Sequence, residues 1–253
     1  MTRTKKSSLT NALHILKSFT VDDTELSLGE IAEQVAVSKS TACRLVQTLE
    51  SEGFIIQNTR SNTYTLGTSI LSLSNTMLDQ FYRLKEMTVF LKQLTLATGE
   101  SSHIAVLKGN EVLYLKKEDS QYSVQLRSHI GKWNPAHCTA SGLALLSALK
   151  EQELVKLYKE GFEQPTPFSI SSIRQLTERL QESKKQGYFM SEGEMVENVL
   201  AIGAPIFNEY GEIIASISVA GLRQRMRPQL KNVIRQVTQT SDELSHFIKQ
   251  RRE

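Results

Sequence analysis

The N-terminal part of the chain contains three short segments in which apolar residues recur at helical spacing. The first covers residues 8–19, the second begins at Ser27 and the third begins at Ser38. Glu30 follows Ser27 by three residues, which is the spacing of a capping box and indicates a helix start. The pattern predicts three helices, with only a tight turn between the second and the third.

The third predicted helix has two chemically different faces. Its apolar face holds Ala42, Leu45, Val46 and Leu49. Its opposite face holds polar and cationic side chains: Lys39, Ser40, Thr41, Arg44, Gln47 and Thr48. Two short helices joined by a tight turn, the second with such an outer face, are typical of a helix-turn-helix. Protein-interaction modules share this pattern, so a scaffold that binds no DNA is an alternative.

We predict DNA contacts from this face, from a hairpin that follows it and from a basic N-terminal arm. Residues 54–57 and 64–66 are strand-like, and the polar residues between them indicate a hairpin, or wing. Short hydroxyls reach phosphate oxygens or base edges, and arginine can hold guanine with two hydrogen bonds. The wing and the arm suit the DNA backbone or minor groove. The predicted contact residues are Lys5, Lys6, Ser38, Lys39, Ser40, Thr41, Arg44, Gln47, Arg60 and Asn62.

The rest of the chain mixes helical and strand-like segments. Residues 68–86 predict a helix with a wide apolar face, which indicates either packing on its own chain or a dimer contact. Strand-like runs cover residues 103–107, 111–117, 122–127, 200–207 and 212–220. Because short turns separate several of these runs, we predict an α+β fold in which an antiparallel sheet has helices to one side or end.

Charge and composition change this picture little. The net charge is +3, but residues 1–66 contain seven basic and seven acidic residues, so only the positions of the charges argue for DNA binding. No apolar run is long enough to cross a membrane or to form a secretory signal, so we expect a cytoplasmic protein with no membrane partner. Cys43 and Cys138 are far apart and lack metal-ligand spacing, which predicts reduced thiols and no metal site.

Catalytic chemistry is sparse, so we expect neither an enzyme nor a cofactor. His103 and His137 are candidate bases and Cys138 is a candidate nucleophile, but no triad, metal motif or phosphate loop is visible. A thiol enzyme that uses Cys138 is an alternative, although thiol redox chemistry normally needs a second cysteine nearby.

Motifs in both halves of the chain resemble the IclR-type transcriptional regulators. They are SLTNALHILKSF (8–19), SLGEIAEQVAVSKSTACRLVQTLESEGF (27–54), YTLG (64–67), PAHCTASGLALLSAL (135–149) and NVLAIGAPIFNEYGEIIASISVAG (198–221). The resemblance implies a winged helix-turn-helix domain over residues 1–67, a linker and dimerisation helix over 68–86, and a GAF-like effector-binding domain over 87–253. It further implies that dimers, or dimers of dimers, bind double-stranded operator DNA, that small metabolites alter this binding, and that repression is the commoner outcome.

A candidate effector site lies near residues 137–142, where small residues precede an apolar helix. A helix start offers free N–H groups that suit a carboxylate or another anion. The resemblance implies a cavity lined by this helix start, by the segment 191–194 and by the last two strands. The matching positions are Ala140, Ser141, Ser191, Ala201, Ser218 and Ala220.

The chain departs from its relatives within this predicted cavity. Several relatives have an acidic residue in place of Ser191, a cysteine in place of Ala201, a second serine in place of Ala220 and a lysine in place of Leu143. These differences predict a less polar pocket than those that bind small oxoacids, and therefore a larger or less charged effector.

Overall fold

The computed structural model describes residues 7–20, 22–80, 83–122, 131 and 133–250. The chain forms two compact units, residues 1–82 and 83–253. The predicted contact residues Lys5 and Lys6, and residues 123–127 of one predicted strand, lie outside the described residues. Within the described ranges, no helix combines the length and apolarity needed to span a bilayer.

The first unit combines helices with a small antiparallel sheet. Its elements are α1 (Ser8–Ser18), β1 (Leu26–Ser27), α2 (Leu28–Val35), α3 (Lys39–Ser51), β2 (Ile55–Asn58), β3 (Thr63–Leu66) and α4 (Thr68–Gln80). Strand β3 pairs with both β1 and β2, which confirms the predicted hairpin. The predicted capping box is also confirmed, because Ser27 N–H donates to Glu30 Oε2 (2.8 Å) and Glu30 N–H donates to Ser27 Oγ (3.3 Å).

The apolar faces of the first three helices meet in one core that holds α3 in place. Ile15, Ile31 and Val46 are buried there with the other apolar residues of α3. Each such side chain contributes about 1.5–3 kcal/mol through the hydrophobic effect. Ala36 adopts a left-handed conformation (φ 58°) and turns the chain sharply between α2 and α3. The inner face of α3 is therefore committed to the core, and its polar face is left exposed.

The second unit contains a six-stranded antiparallel sheet. Its elements are α5 (Arg83–Thr98), β4 (Ser101–Lys108), β5 (Glu111–Glu118), β6 (Trp133–Pro135), α6 (Ala140–Leu146), α7 (Glu151–Leu157), α8 (Ile173–Gln186), β7 (Phe189–Glu192), β8 (Val199–Phe207), β9 (Ile213–Leu222), α9 (Arg223–Met226) and α10 (Leu230–Gln250). The strand order is β6-β5-β4-β9-β8-β7. The sequence did not predict β6 and β7, because three or four residues are too few to show alternation.

Helices cover both faces of this sheet, so the prediction of helices to one side or end was wrong. On one face, Ile202 of β8 shares a buried cluster with Val237 of α10. On the other face, Phe189 of β7 shares a buried cluster with Leu143 of α6. Strands that are buried on both faces lack a clear alternation of apolar and polar residues, so the sequence pattern could not reveal the second layer.

Candidate DNA-binding surface and effector site

The N-terminus of α3 is organised by a hydroxyl network around Ser38. The Ser38 Oγ accepts a hydrogen bond from Thr41 N–H (3.2 Å) and caps the helix. It also lies 3.0 Å from Ser40 Oγ and 2.9 Å from Thr41 Oγ1. These three predicted contact residues therefore lie together and exposed, but Ser38 already has a structural role as the cap.

Lys39 lies between the starts of two helices. A Cβ placed on Gly29, in the first turn of α2, would stand 4.0 Å from Lys39 Nζ. Lys39 itself is the first residue of α3 and is exposed. Its ammonium thus adds to the partial positive charge at the first turn of each helix. This arrangement suits a phosphate group.

Arg44 and Gln47 occupy the exposed face of α3 beyond its first turn. Among the described residues, Arg44 forms no ion pair, so its guanidinium is available to a partner. Arginine has five donors in a fixed planar arrangement, which allows two simultaneous hydrogen bonds to one base or phosphate.

The wing presents Arg60 at its tip, where the side chain is exposed. Asn62 has a left-handed backbone (φ 55°), and its Oδ1 accepts a hydrogen bond from Gln57 Nε2 (2.9 Å). Asn58 Oδ1 accepts a hydrogen bond from Arg60 N–H (3.1 Å). Asn62 therefore shapes the turn, and Arg60 is the better placed of the two for a DNA contact.

In the second unit, the start of α6 lies directly on the sheet. Ser141 Oγ donates a hydrogen bond to Ser218 Oγ of β9 (2.7 Å), and both residues are buried. Gly203 of β8 permits this approach, because a Cβ there would lie 2.7 Å from the carbonyl oxygen of Ala140. Such a distance is far inside van der Waals contact, so only glycine fits at this position.

Beside this contact, small side chains form a row across four strands. Ser191 pairs with Ala201, Ala201 pairs with Ala220, and Ala220 pairs with Ser101. Residues directly opposite each other in antiparallel strands share one face of the sheet. Ala201 and Ala220 are half-buried, whereas Ser191 and Ser101 are buried. The structure thus brings all six residues predicted for the effector site to one side of the sheet, and Ser101 lies on the same side beside Ala220.

The helix start itself is a weaker anion site than the sequence indicated. Helix α6 has only seven residues, so its macrodipole is weak. Thr139 Oγ1 already accepts a hydrogen bond from Gly142 N–H (3.0 Å). The predicted effector site would therefore depend more on its serine hydroxyls than on the helix dipole.

His103 lies beside the candidate effector site, although the sequence indicated it only as a candidate catalytic base. It pairs with Ser218 across β4 and β9, and its ring lies 5.0 Å from that of Tyr114. Burial lowers the pKa of His103 to about 3, with a further contribution from the charge of Lys117. The imidazole is therefore neutral at physiological pH and adds no charge to the site.

Cys138 precedes the start of α6 and is fully buried. Burial raises the pKa of its thiol to about 12. Its backbone carbonyl accepts a hydrogen bond from Ser191 Oγ (2.8 Å). The residue contributes this carbonyl and its bulk rather than a thiolate nucleophile.

The sequences of both units match domain models from one protein family. Residues 8–59 match the IclR helix-turn-helix domain, and residues 76–246 match the C-terminal domain of the bacterial transcriptional regulator IclR. The chain is 30% identical over 244 residues to the HTH-type transcriptional regulator XynR of Escherichia coli (strain K12), covering 95% of this chain and 96% of XynR. It is 30% identical over 201 residues to the HTH-type transcriptional regulator KdgR of the same strain, covering 79% of this chain and 76% of KdgR.

A solved structure shares the fold. An IclR homolog from Microbacterium hydrocarbonoxydans, crystallised in complex with 4-hydroxybenzoate, superimposes with a TM-score of 0.84 at 21% identity, covering 96% of this chain and 99% of the homolog. Since the family domains match most of the chain, in the same order as its two units, the protein belongs to the IclR family of bacterial transcriptional regulators.

Proposed function

We propose that this regulator binds a two-fold operator through α3 and the wing, and that a small-molecule effector beside Ser141 and Ser218 changes operator affinity. In this proposal, residues 1–67 bind DNA, residues 68–86 link and dimerise the subunits, and residues 87–253 bind the effector. The protein acts as a repressor in the cytoplasm.

The exposed polar face of α3 is the observation that carries the DNA-binding part. Lys39, Arg44 and Gln47 are exposed on a helix whose other face is buried. Such a face fits the major groove, where base edges differ in their hydrogen-bonding pattern. Arg60 on the wing adds a cation for the backbone or minor groove.

Exposed leucines support a second copy of the chain as partner. Leu9 and Leu13 of α1 are 70% and 50% exposed, and Leu71 and Leu73 of α4 are 63% and 58% exposed. Leu9 and Leu13 are about one turn apart and share one face of α1, and such a pair of exposed apolar side chains favours an interface. Two subunits would place two α3 helices in half-sites about 34 Å apart, or at a multiple of that spacing in a dimer of dimers.

The effector part rests on the hydroxyls of Ser141 and Ser218 beside a floor of small residues. The Microbacterium homolog was crystallised with 4-hydroxybenzoate, and the effector proposed for this chain is a metabolite of comparable size, a class that includes carboxylates. An effector that binds one conformation of the dimer more tightly favours that conformation. The change in free energy between the two conformations cannot exceed the difference in the effector's binding free energy for them. This differential affinity is the mechanism that we propose for regulation.

The environment of Cys138 argues against the alternative of a GAF-like thiol enzyme. A catalytic thiol needs a low pKa and access to substrate, whereas burial raises the pKa of Cys138. The exposed cationic face of α3 likewise argues against a scaffold that binds no DNA.

A gel-shift and footprinting assay on the region upstream of the protein's own gene tests the proposal. We expect a protected two-fold sequence with half-sites about 34 Å apart or a multiple of that distance, and loss of protection when a metabolite binds. Light scattering of the same sample gives the number of subunits. A monomer that is indifferent to DNA at low salt would contradict the proposal.

A further inference from the structure

We propose that Glu194 determines effector specificity by accepting a hydrogen bond from a hydroxyl or amino group of the effector. This inference rests on the proposed function. It extends that function by naming the chemical group that the effector must carry.

One oxygen of the Glu194 carboxylate lacks a partner. Glu194 follows β7 and is only 3% exposed. Its Oε1 accepts a hydrogen bond from Arg179 Nη1 (3.1 Å). Its Oε2 is buried without a hydrogen-bond partner among the described residues. An unsatisfied buried carboxylate oxygen is costly, so its presence calls for an explanation.

The neighbouring hydroxyls are already committed to backbone carbonyls. Ser169 Oγ donates to the carbonyl oxygen of Glu194 (2.7 Å), and Thr166 Oγ1 donates to that of Gly193 (2.7 Å). Burial raises the pKa of the Glu194 carboxyl, and the charge of Arg179 and the hydroxyl of Ser191 oppose this rise. The single hydroxyl proton of Ser191 is donated to the carbonyl of Cys138. None of these side chains has a proton left for Oε2.

Glu194 borders the effector site rather than a separate region of the fold. Ser191 belongs to the row of small residues with Ala201 and Ala220, and its hydroxyl bridges to the segment that begins α6. Burial raises the pKa of the Cys138 thiol, and the charge of Glu194 raises it further. Since Glu194 follows Ser191 by three residues, the proposal places its free oxygen at the Ser191 end of the site rather than at the Ser141–Ser218 pair.

The charge of Glu194 at the Ser191 end of the site determines the orientation of the bound effector. A carboxylate group of a ligand would be repelled by Glu194, and Arg179 is the only cation that contacts Glu194 among the described residues. An acceptor group of the effector is therefore directed toward the hydroxyls of Ser141 and Ser218. Its hydrogen-bond donor is directed toward Glu194.

Matched pairs of compounds that differ only in hydroxyl groups provide the test. The full chain is titrated calorimetrically with 4-hydroxybenzoate and benzoate, and with gluconate and hexanoate. We expect the hydroxylated member of at least one pair to bind about tenfold to a hundredfold more tightly, as for a hydrogen bond to a charged group. Glu194→Gln should reduce this ratio to about threefold or less.

Two further variants make the result specific. Glu192→Gln is the matched control, since Glu192 lies two residues away and pairs with Arg223 and Arg227 instead. It should leave the ratio unchanged. Glu194→Asp keeps the charge, but its side chain is one methylene shorter, so the carboxylate oxygens lie farther from the effector. If Glu194→Gln does not fold, a reduced binding ratio in Glu194→Asp provides the test instead.

The inference is overturned if no hydroxylated compound binds more tightly than its partner, or if the ratio is the same in the folded Glu194 variants. The proposed function fails separately, when no compound changes operator affinity of the unmodified protein in the gel shift. If compounds without hydrogen-bond donors change operator affinity equally well, the proposed function holds but the proposed role of Glu194 is wrong.

Discussion

Ser141 and Ser218 are joined by a 2.7 Å hydrogen bond between their hydroxyl oxygens, although they lie 77 residues apart in the chain. This bond fixes the start of α6 on the sheet, where the predicted effector positions converge. A ligand with its own donors and acceptors can replace it, because each hydroxyl has both a proton and free lone pairs.

Ser218→Ala should preserve operator binding and weaken the response to effector. Removal of one neutral hydrogen bond costs about 0.5–1.5 kcal/mol, which is a fewfold to about tenfold rise in the effector concentration needed for half-maximal release. Gel-shift titration measures this concentration. Ser147→Ala is the matched control, because Ser147 is a buried serine near the end of α6 whose hydroxyl bonds to the Ala144 carbonyl. An equal effect of the two variants would contradict a specific role for Ser218.

Arg44→Ala should lower operator affinity by about 1–3 kcal/mol if the guanidinium reads a base. Fluorescence anisotropy at fixed salt measures the change, since phosphate contacts depend strongly on ionic strength. Arg174→Ala is the control, because Arg174 is also exposed but lies on α8 and pairs with Glu178. An unchanged operator affinity would show that Arg44 makes no contact with the DNA.

Gly203→Ala should destabilise the second unit by about 1–3 kcal/mol through overpacking. The added Cβ would meet the Ala140 carbonyl oxygen at 2.7 Å, and neither backbone can move without disturbing the α6 contact. Differential scanning calorimetry measures the loss. At Gly29 the nearest atom to an added Cβ is 3.7 Å away, so Gly29→Ala should be tolerated. Equal stability of both variants with the parent would show that α6 can shift.

The buried His103 predicts a loss of stability in acid. Its pKa is about 3 in the folded protein, below the ordinary value of 6.5, so only the unfolded state takes up this proton as the pH falls below 6.5. Stability attributable to His103 should therefore decrease from pH 6.5 toward pH 3. Urea unfolding across this range should show a shallower pH dependence for His103→Gln than for the parent.

Cys138 should react slowly with thiol reagents in the folded protein. With a pKa of about 12, its thiolate fraction at pH 8 is very small. In a Cys43→Ser background, we expect labelling to be at least about a hundredfold slower in the folded protein than in guanidinium chloride. Fast labelling of the folded protein would revive the thiol-enzyme alternative.

Most of the fold of the first unit could be predicted from the sequence, because the residues that determine its helices and turns are close together in the chain. The capping box at Ser27, the cap at Ser38 and the helical spacing of Ala42, Leu45 and Val46 each depend on residues within one or two turns. Once the inner face of α3 is buried, the exposure of Arg44 follows from helix geometry alone. The contact residues themselves stay predictions, and the role of Asn62 in the turn shows that position near a tip does not establish a contact.

In the second unit the sequence determined the longer strands and the turns between β4 and β5 and between β8 and β9, since alternation and turn residues are also local properties. Only the tertiary structure decided that helices cover both faces, that Ser191, Ala201 and Ala220 form one row, and that Glu194 retains an unpaired oxygen. These features depend on strand order, register and burial. Such properties arise from contacts between residues far apart in the chain, so no local pattern encodes them.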